Sequence, residues 1–242
     1  MTARVARPVL PQTGLLASPV FSRAAPFALF ILFVALQPLA AGIVDERWLV
    51  AARGLVVGAL LLLLWPTFRE LHKTGDRPRL SAGDNRGLSP VLAAVAAGAA
   101  VFAAWIHLDG GWMSFAGEGR GFVPLREDGS LDVVLVALRL AGLALVVPIV
   151  EELFWRSLVM RWITSRDFLA LDPKRVSMLA FGISSALFAL EHSQWLAGLL
   201  AGLAYGWLYM RSANLWIPIL SHATTNGLLG LWILATGSWR YW

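Results

Sequence analysis

The sequence contains no cysteine and has few charged residues. Without cysteine it can form no disulfide, no thiolate metal site and no cysteine nucleophile. Only 14% of its 242 residues are charged, whereas 58% are hydrophobic and the mean hydropathy is +0.67. This balance excludes a water-soluble domain of ordinary composition.

Two common catalytic signatures are also missing. The chain has no HExxH zinc motif, and no serine or threonine lies in the context of a nucleophile elbow. The net charge is +5, but the basic residues are spread among predicted loops rather than gathered on one soluble face. We therefore expect no nucleic-acid partner.

Apolar runs long enough to cross a bilayer recur along the chain, and each crossing needs about 20 mostly apolar residues. Seven such segments cover residues 26–44, 49–68, 90–107, 132–160, 175–192, 195–211 and 214–236. Twelve tryptophans against three tyrosines, many of them at the ends of these runs, are typical of an interfacial belt. The sequence predicts an all-α polytopic membrane protein, a bundle of about seven transmembrane helices, or eight if the long fourth segment is split.

Lysine and arginine residues in the short loops indicate the orientation of the bundle. With the N-terminus inside, the cytoplasmic side carries Arg4, Arg7, Arg23, Arg69, Lys73, Arg77, Arg79, Arg86, Arg161, Arg166, Lys174, Arg175 and Arg211. The opposite side carries Arg47, Arg53, Arg120, Arg126 and Arg240. This asymmetry predicts a cytoplasmic N-terminus and, with seven spans, a C-terminus outside.

The first apolar run follows three arginines and superficially resembles a secretory signal. It is longer than the hydrophobic region of about 7–15 residues found in a signal peptide, and further spans follow it. We predict an uncleaved first span. The alternative is cleavage after the small residues Ala40 and Ala41.

Ionisable residues cluster in the C-terminal spans, although a charge at the bilayer centre costs about 2.5–3.5 kcal/mol. They are Glu151, Glu152 and Arg156 in the fourth segment, Glu191 and His192 at the end of the fifth, and His222, with Asn226 beside it, in the seventh. We assign Glu191 to a solvated helix end. Ionisable groups inside a membrane point to function, and the others are therefore candidates for a site.

The spacing of these residues along a helix determines on which side of it each side chain lies. Glu152 precedes Arg156 by four residues, which favours an intrahelical ion pair. Glu151 is turned about 100° away from Glu152, which makes Glu151 the candidate base and Glu152 the structural partner. His222 and Asn226, also four apart, share one helix face.

These groups suit the activation of a water molecule for attack on an amide. Glu151 and His192 can share the proton of that water. His222 and Asn226 can donate hydrogen bonds to the oxyanion that forms. Phe188, four residues before His192, can fix the imidazole by packing against it.

Three short motifs lie in order on separate predicted helices. Residues 151–156 read EExxxR, residues 188–192 read FxxxH and residues 222–226 read HxxxN. In this order they resemble the motifs of the CAAX-prenyl-endopeptidase and bacteriocin-processing family (CPBP, or Abi) of intramembrane proteases. The run from 202 to 222 also resembles the approach to the last motif in that family, and the resemblance covers residues 131–236.

The resemblance implies a catalytic core over residues 131–242, after N-terminal spans and loops over residues 1–130 that match no recognised motif. Glu151, His192, His222 and Asn226 would be catalytic, in an intramembrane cavity open to the cytoplasmic side. Glu152, Arg156 and Phe188 would support them. The partners would be the lipid bilayer and a membrane-associated protein or peptide substrate, in a bacterial inner membrane.

The sequence leaves alternatives both for the cofactor and for the class of function. The family is often labelled a metalloprotease, yet its motifs also suit a glutamate-activated water without metal. Zinc is the alternative cofactor, and its ligands would be Glu151, His192 and His222. Two other functions are possible alternatives. One is a transporter in which buried Glu and His residues relay protons, although the sequence has no inverted repeat to support it. The other is a non-catalytic scaffold or chaperone of the same family.

Overall fold

The computed structural model describes residues 14, 18–40, 43–72, 89–115, 121 and 123–242, except for the side chain of Glu46. These residues form eight helices and no strand: α1 Pro19–Ala40, α2 Glu46–Leu64, α3 Arg69–His72, α4 Pro90–His107, α5 Val133–Thr164, α6 Met178–Leu190, α7 Trp195–Ser212 and α8 Trp216–Thr236. Five of them, α1, α2, α4, α5 and α8, are long and apolar enough to cross a membrane. The predicted all-α polytopic fold is confirmed, and each of the seven predicted segments corresponds to one helix.

The first helix begins earlier than predicted, at Pro19 rather than Pro26. Arg23, predicted as a flanking charge, therefore lies inside α1 and is 1% exposed. Its Nε donates a hydrogen bond to Oε1 of Glu70 in α3, at 2.7 Å. The ion pair with Glu70 compensates the charge of this buried arginine. The predicted alternative, cleavage near Ala41, falls outside the described residues.

The longest helix, α5, is not split in two, so the predicted alternative of an eighth span does not arise from it. It contains two wider π-helical segments, Gly142–Val146 and Leu153–Val159. Pro148 accounts for the first segment, because it has no N–H and its ring clashes with the carbonyl four residues earlier. The helix accommodates Pro148 by widening into a π-helical bulge, and it then continues to Thr164.

One end of the bundle, called the basic end below, holds most of the basic side chains of the described residues: Arg23, Arg69, Arg161, Arg166, Lys174, Arg175 and Arg211. Here Glu70 accepts hydrogen bonds from Arg23 of α1 and from Ser157 of α5. Burial raises the pKa of the Glu70 carboxyl, but the hydrogen bonds from Arg23 and Ser157 outweigh it, and the pKa lies below its usual value. An ionised Glu70 thus ties α1 and α5 together.

The opposite end, called the Trp242 end, holds the beginnings of α2, α5 and α7 and the ends of α4, α6 and α8. Nη1 of Arg47 donates to the carbonyl of Leu125 at 2.8 Å, which fixes the loop before α5 to the start of α2. Arg240 pairs with Asp109 at 2.6 Å, which fixes the C-terminal residues to the end of α4.

The closest helix contact joins α4 to α8 at Gly98. A Cβ atom added at Gly98 would collide with the backbone carbonyl of Ser221 and lie 2.8 Å from Cβ of Thr224. Oγ1 of Thr225 donates a hydrogen bond to the carbonyl of Gly98 at 2.9 Å. Absence of a side chain at Gly98 therefore sets the position of α8, as in other close contacts of membrane helices.

Replacing Gly98 with alanine tests this contact. We expect Gly98→Ala to destabilise the protein by about 1–3 kcal/mol, because the added methyl group forces two backbones apart. Gly182→Ala in α6 is the matched control, since a Cβ there meets nothing within 4 Å. Thermal unfolding of both variants in the same detergent measures the difference, and equal midpoints would contradict the contact.

Candidate active site

Glu152 connects two of the predicted site residues. Its Oε2 lies 3.1 Å from Nε of Arg156, so the predicted ion pair is present. Its Oε1 lies 3.0 Å from Nδ1 of His222 on α8. All three side chains are buried. Because an ionised carboxylate only accepts, Nδ1 of His222 donates, and Glu152 fixes both the ring orientation and the tautomer.

Glu151 points to a different side of α5 from Glu152, as the helical period requires. Its Oε2 lies 3.9 Å from Nε2 of His222, which is longer than a hydrogen bond. That oxygen is buried and has no hydrogen-bond partner among the described residues. Since buried polar atoms are normally satisfied, the Glu151 carboxylate is placed to accept from a bound water or substrate.

His192 lies two residues after the end of α6 and is held in one orientation by the last turn of that helix. Its Nδ1 lies 2.8 Å from the carbonyl of Phe188, and because a carbonyl only accepts, Nδ1 carries the proton. The Phe188 ring packs against the imidazole with centroids 4.7 Å apart, as predicted, and Trp105 of α4 contacts it edge-on at 5.2 Å. In the neutral ring, Nε2 is therefore the acceptor.

Asn226 lies on the same face of α8 as His222, and both line the cavity described below. Its Nδ2 donates to the carbonyl of Leu143 at 2.9 Å. Leu143 lies in the first π-helical segment of α5, where the wider turn redirects backbone carbonyls. This bond uses one of the two N–H groups of the amide and leaves the second to donate elsewhere.

Glu191 belongs to the site, which the sequence analysis missed by assigning it to a solvated helix end. It is exposed, but its Oε1 accepts a hydrogen bond from the indole of Trp155 at 2.9 Å. One oxygen of Glu191 also lies within 4.8 Å of donor atoms of Glu151 and His192. The signal in the sequence was Trp155, because a buried indole N–H inside the first motif requires an acceptor.

Tyr205 of α7 also supports the site and was not assigned from the sequence. Its ring stacks on His222 with centroids 4.9 Å apart and planes 19° apart. Its hydroxyl donates to Oγ1 of Thr225 at 2.7 Å, and Thr225 in turn donates to Gly98. His222 is thus held by a stacked ring as well as by Glu152.

These groups line a cavity of about 390 Å³, a size typical of ligand sites. Its lining includes Glu151, Glu191, His192, Tyr205, His222 and Asn226. The remaining wall comes partly from the helices before residue 130, through Phe30, Val34, Val50, Arg53, Gly54 and Trp105. Both predicted parts of the chain, 1–130 and 131–242, therefore build the same cavity.

The cavity extends toward the Trp242 end of the bundle. Gln194, Arg240 and Trp242 line it there, whereas α3, at the basic end, contributes no residue to it among the described positions. The family resemblance predicted an opening to the cytoplasm, and the loop charges predicted that the basic end is cytoplasmic. The cavity lining reaches the end of the bundle that lies opposite the basic end.

Three of the lining groups are close enough to bind one metal ion. Single donor atoms of Glu151, Glu191 and His192 all lie within 4.8 Å of one another among the described residues. Carboxylate oxygen and imidazole nitrogen are ligands of catalytic zinc, and the buried Oε2 of Glu151 fits that role. The predicted set had His222 in place of Glu191, whereas the donor atoms that converge within 4.8 Å among the described residues are those of Glu151, Glu191 and His192.

Comparison with known proteins gives a family match for the C-terminal part of the chain. Residues 133–228 match the family described as Type II CAAX prenyl endopeptidase Rce1-like. The matched segment begins at the start of α5, ends in α8 and contains all three motifs. No curated protein and no solved structure matches the chain. The resemblance to intramembrane CAAX proteases is confirmed by the family match.

Removing Arg156 tests the buried charge network. In Arg156→Gln the Glu152 carboxylate loses its cation, and we expect a loss of about 3 kcal/mol of unfolding free energy. The exposed Arg175 provides the control, since Arg175→Gln is expected to change stability by less than about 0.5 kcal/mol. Denaturant titration in detergent measures both. The double variant Glu152→Gln/Arg156→Gln should lose less than the sum of the two single variants, and strict additivity would contradict the pairing.

Proposed function

We propose that this chain hydrolyses a peptide bond in a membrane-associated protein or peptide, because its residues 133–228 match the family described as Type II CAAX prenyl endopeptidase Rce1-like. The observation that carries the proposal is the convergence on one cavity of Glu151 from α5, His192 from the turn after α6, and His222 from α8. Each of the three has at least one polar atom directed toward the others.

Glu151 and His192 activate the water molecule in this proposal. A water placed between Oε2 of Glu151 and Nε2 of His192 meets two hydrogen-bond acceptors, because Nδ1 of His192 already donates to Phe188. Glu151 takes one proton as the water oxygen bonds to the carbonyl carbon of the substrate. When the C–N bond breaks, Glu151 returns that proton to the departing amine.

His222 and Asn226 stabilise the oxyanion formed by this attack. Glu152 accepts a hydrogen bond from Nδ1–H of His222, and its negative charge favours the imidazolium form, in which Nε2–H can donate to the oxyanion. The second N–H of the Asn226 amide donates beside it. Donors of this kind contribute about 100- to 1000-fold each to the rate of amide hydrolysis.

Zinc is the second candidate for water activation, and the position of Glu191 favours it. Glu151, Glu191 and His192 would hold the ion, which would supply a Lewis acid for the substrate carbonyl. In that case His222 and Asn226 keep their role as donors, because neither belongs to the ligand group.

The first test is Glu151→Gln, which keeps the shape of the side chain but cannot accept a proton. We expect the cleavage products to fall by at least about 1000-fold. Mass spectrometry of membrane peptides from cells that express each variant measures the products and names the substrate. Glu127→Gln, in an exposed loop at the Trp242 end, is the control and should keep full activity.

Full activity of Glu151→Gln would contradict the proposed chemistry. The same preparations decide between the two routes of water activation. Inhibition by a chelator that added zinc reverses would assign the metal route, and zinc bound to the purified protein should then disappear in Glu191→Gln.

We also propose that the cavity opens on the non-cytoplasmic side of the membrane. The basic end carries seven of the basic residues of the described chain, and the sequence that directly follows α3 adds Lys73, Arg77, Arg79 and Arg86. Short loops with this excess remain in the cytoplasm. The substrate would then be a membrane protein or peptide that presents its cleavage site on the outer side.

Single-cysteine labelling tests this orientation, and the natural absence of cysteine removes any background. Glu127→Cys at the Trp242 end and Asp167→Cys at the basic end both place the thiol at an exposed position. We expect a membrane-impermeant maleimide to label Glu127→Cys in intact spheroplasts and Asp167→Cys only after lysis. The reverse pattern would place the cavity on the cytoplasmic side.

A further inference from the structure

A second cavity lies at the basic end of the bundle, away from the candidate active site. Its volume is about 490 Å³, and it shares no lining residue with the first cavity among the described positions. Its walls come from α3, the last turn of α5, the loop that follows α5 and the end of α7. The polar side chains that line it include Arg69, Glu70, Arg161, Asp172 and Tyr209.

Arg161 is a buried arginine without a carboxylate partner. Three arginines of the described chain are at most 4% exposed, namely Arg23, Arg156 and Arg161. The first two form ion pairs, with Glu70 and Glu152, whereas Arg161 forms none with an acid of the described residues. A buried charge that no opposite charge compensates is costly, and an anion in the cavity would compensate it.

The hydrogen bonds of Arg161 fix its position but leave its charge in place. Its Nη2 donates to the carbonyls of Leu169 and Leu171, at 3.0 and 2.9 Å, and its Nη1 donates to the hydroxyl of Tyr209 at 3.3 Å. These three acceptors are uncharged. The buried Nε has no hydrogen-bond partner within the described part of the chain. The guanidinium is thus held in the cavity wall with one donor unused.

The other charges around this cavity leave a positive excess. Arg69 is exposed in the same lining and forms no ion pair in the part of the chain that the structure describes. Of the two acids in the lining, Glu70 is paired with Arg23, and Asp172 accepts from the backbone N–H of Lys174. Two arginines therefore face only one carboxylate that has no cation of its own, and the lining favours an anion.

Two exposed tryptophans next to lining residues indicate the level of the cavity in the membrane. Trp162 directly follows Arg161 and is 41% exposed, and Trp216 directly follows the lining residue Leu215 and is 37% exposed. Tryptophan is enriched at the level of the lipid headgroups. Basic cavities between helices at this level suit the phosphate of an anionic headgroup.

We propose that this cavity binds a phosphate group between the buried Arg161 and the exposed Arg69. Guanidinium groups meet phosphate oxygens with paired, charge-assisted hydrogen bonds. The phosphate belongs to an anionic lipid headgroup or to a soluble phosphate, which share this chemistry. A bound phosphate would join α3, α5 and the loop after α5, and so stabilise the basic end. This binding site does not depend on the proposed peptidase function.

Calorimetric titration of the purified protein, in an uncharged maltoside detergent and phosphate-free buffer, measures the binding directly. The ligands are dioctanoyl phosphatidylglycerol, dioctanoyl phosphatidylcholine and sodium phosphate at constant ionic strength. We expect phosphatidylglycerol to bind at least about tenfold more tightly than phosphatidylcholine, because the arginines repel the choline cation. If sodium phosphate also binds, the phosphate alone is sufficient. If only phosphatidylglycerol binds, the ligand is the lipid.

Arginine variants locate the binding. Arg69→Gln removes an exposed charge without disturbing the fold, and we expect it to raise the Kd of the bound ligand about tenfold. Arg161→Lys should weaken binding as well, because lysine keeps the charge but loses the paired donors. Arg175→Gln is the matched control, since Arg175 is exposed at the same end and does not line the cavity. It should change the Kd by less than about twofold.

Two results would overturn the assignment. The first is equal affinity for the two lipids together with no binding of sodium phosphate, because the cavity would then not select an anion. The second is a preference for phosphatidylglycerol that Arg69→Gln leaves unchanged, because the anion would then bind elsewhere at the basic end. Neither result would bear on the cleavage assay of Glu151→Gln.

Discussion

The site depends on one buried carboxylate. Glu152 has no exposed surface, and in a membrane interior no water compensates its charge. Arg156 supplies the compensating charge from the next turn of α5, and His222 supplies a hydrogen bond from α8. The same bond that satisfies Glu152 therefore fixes the imidazole. Loss of the ion pair would disturb both the packing of α5 against α8 and the protonation of His222.

A second set of contacts keeps α8 where this bond requires it. Gly98 lets α8 lie directly against α4, and Thr225 bonds to the carbonyl that the close approach exposes. Tyr205 completes the set by donating to Thr225 while its ring stacks on His222. The carbonyl of Gly98, which must find a partner inside a membrane, thus helps to position His222 through Thr225 and Tyr205.

The sequence predicted those features that depend on neighbours along one helix. The Glu152–Arg156 pair and the packing of Phe188 on His192 both follow from a spacing of four residues, and both are present. Features that depend on packing between helices were not predictable in this way. The position of Glu191 depends on how α6 meets Trp155 of α5, and the π-helical bulge that gives Asn226 its partner arises only once Pro148 is accommodated in a continuous helix.

The side on which the cavity opens follows from what closes the other end. At the basic end, Glu70 joins Arg23 of α1 to Ser157 of α5, and the indole of Trp216 donates to the carbonyl of Leu71 at 3.2 Å. These bonds draw α1, α3, α5 and α8 together below the site. Opening that end would leave an ion pair and several backbone groups without partners, so a substrate reaches Glu151 more readily from the Trp242 end. The contacts that close the basic end therefore leave access to the cavity at the Trp242 end.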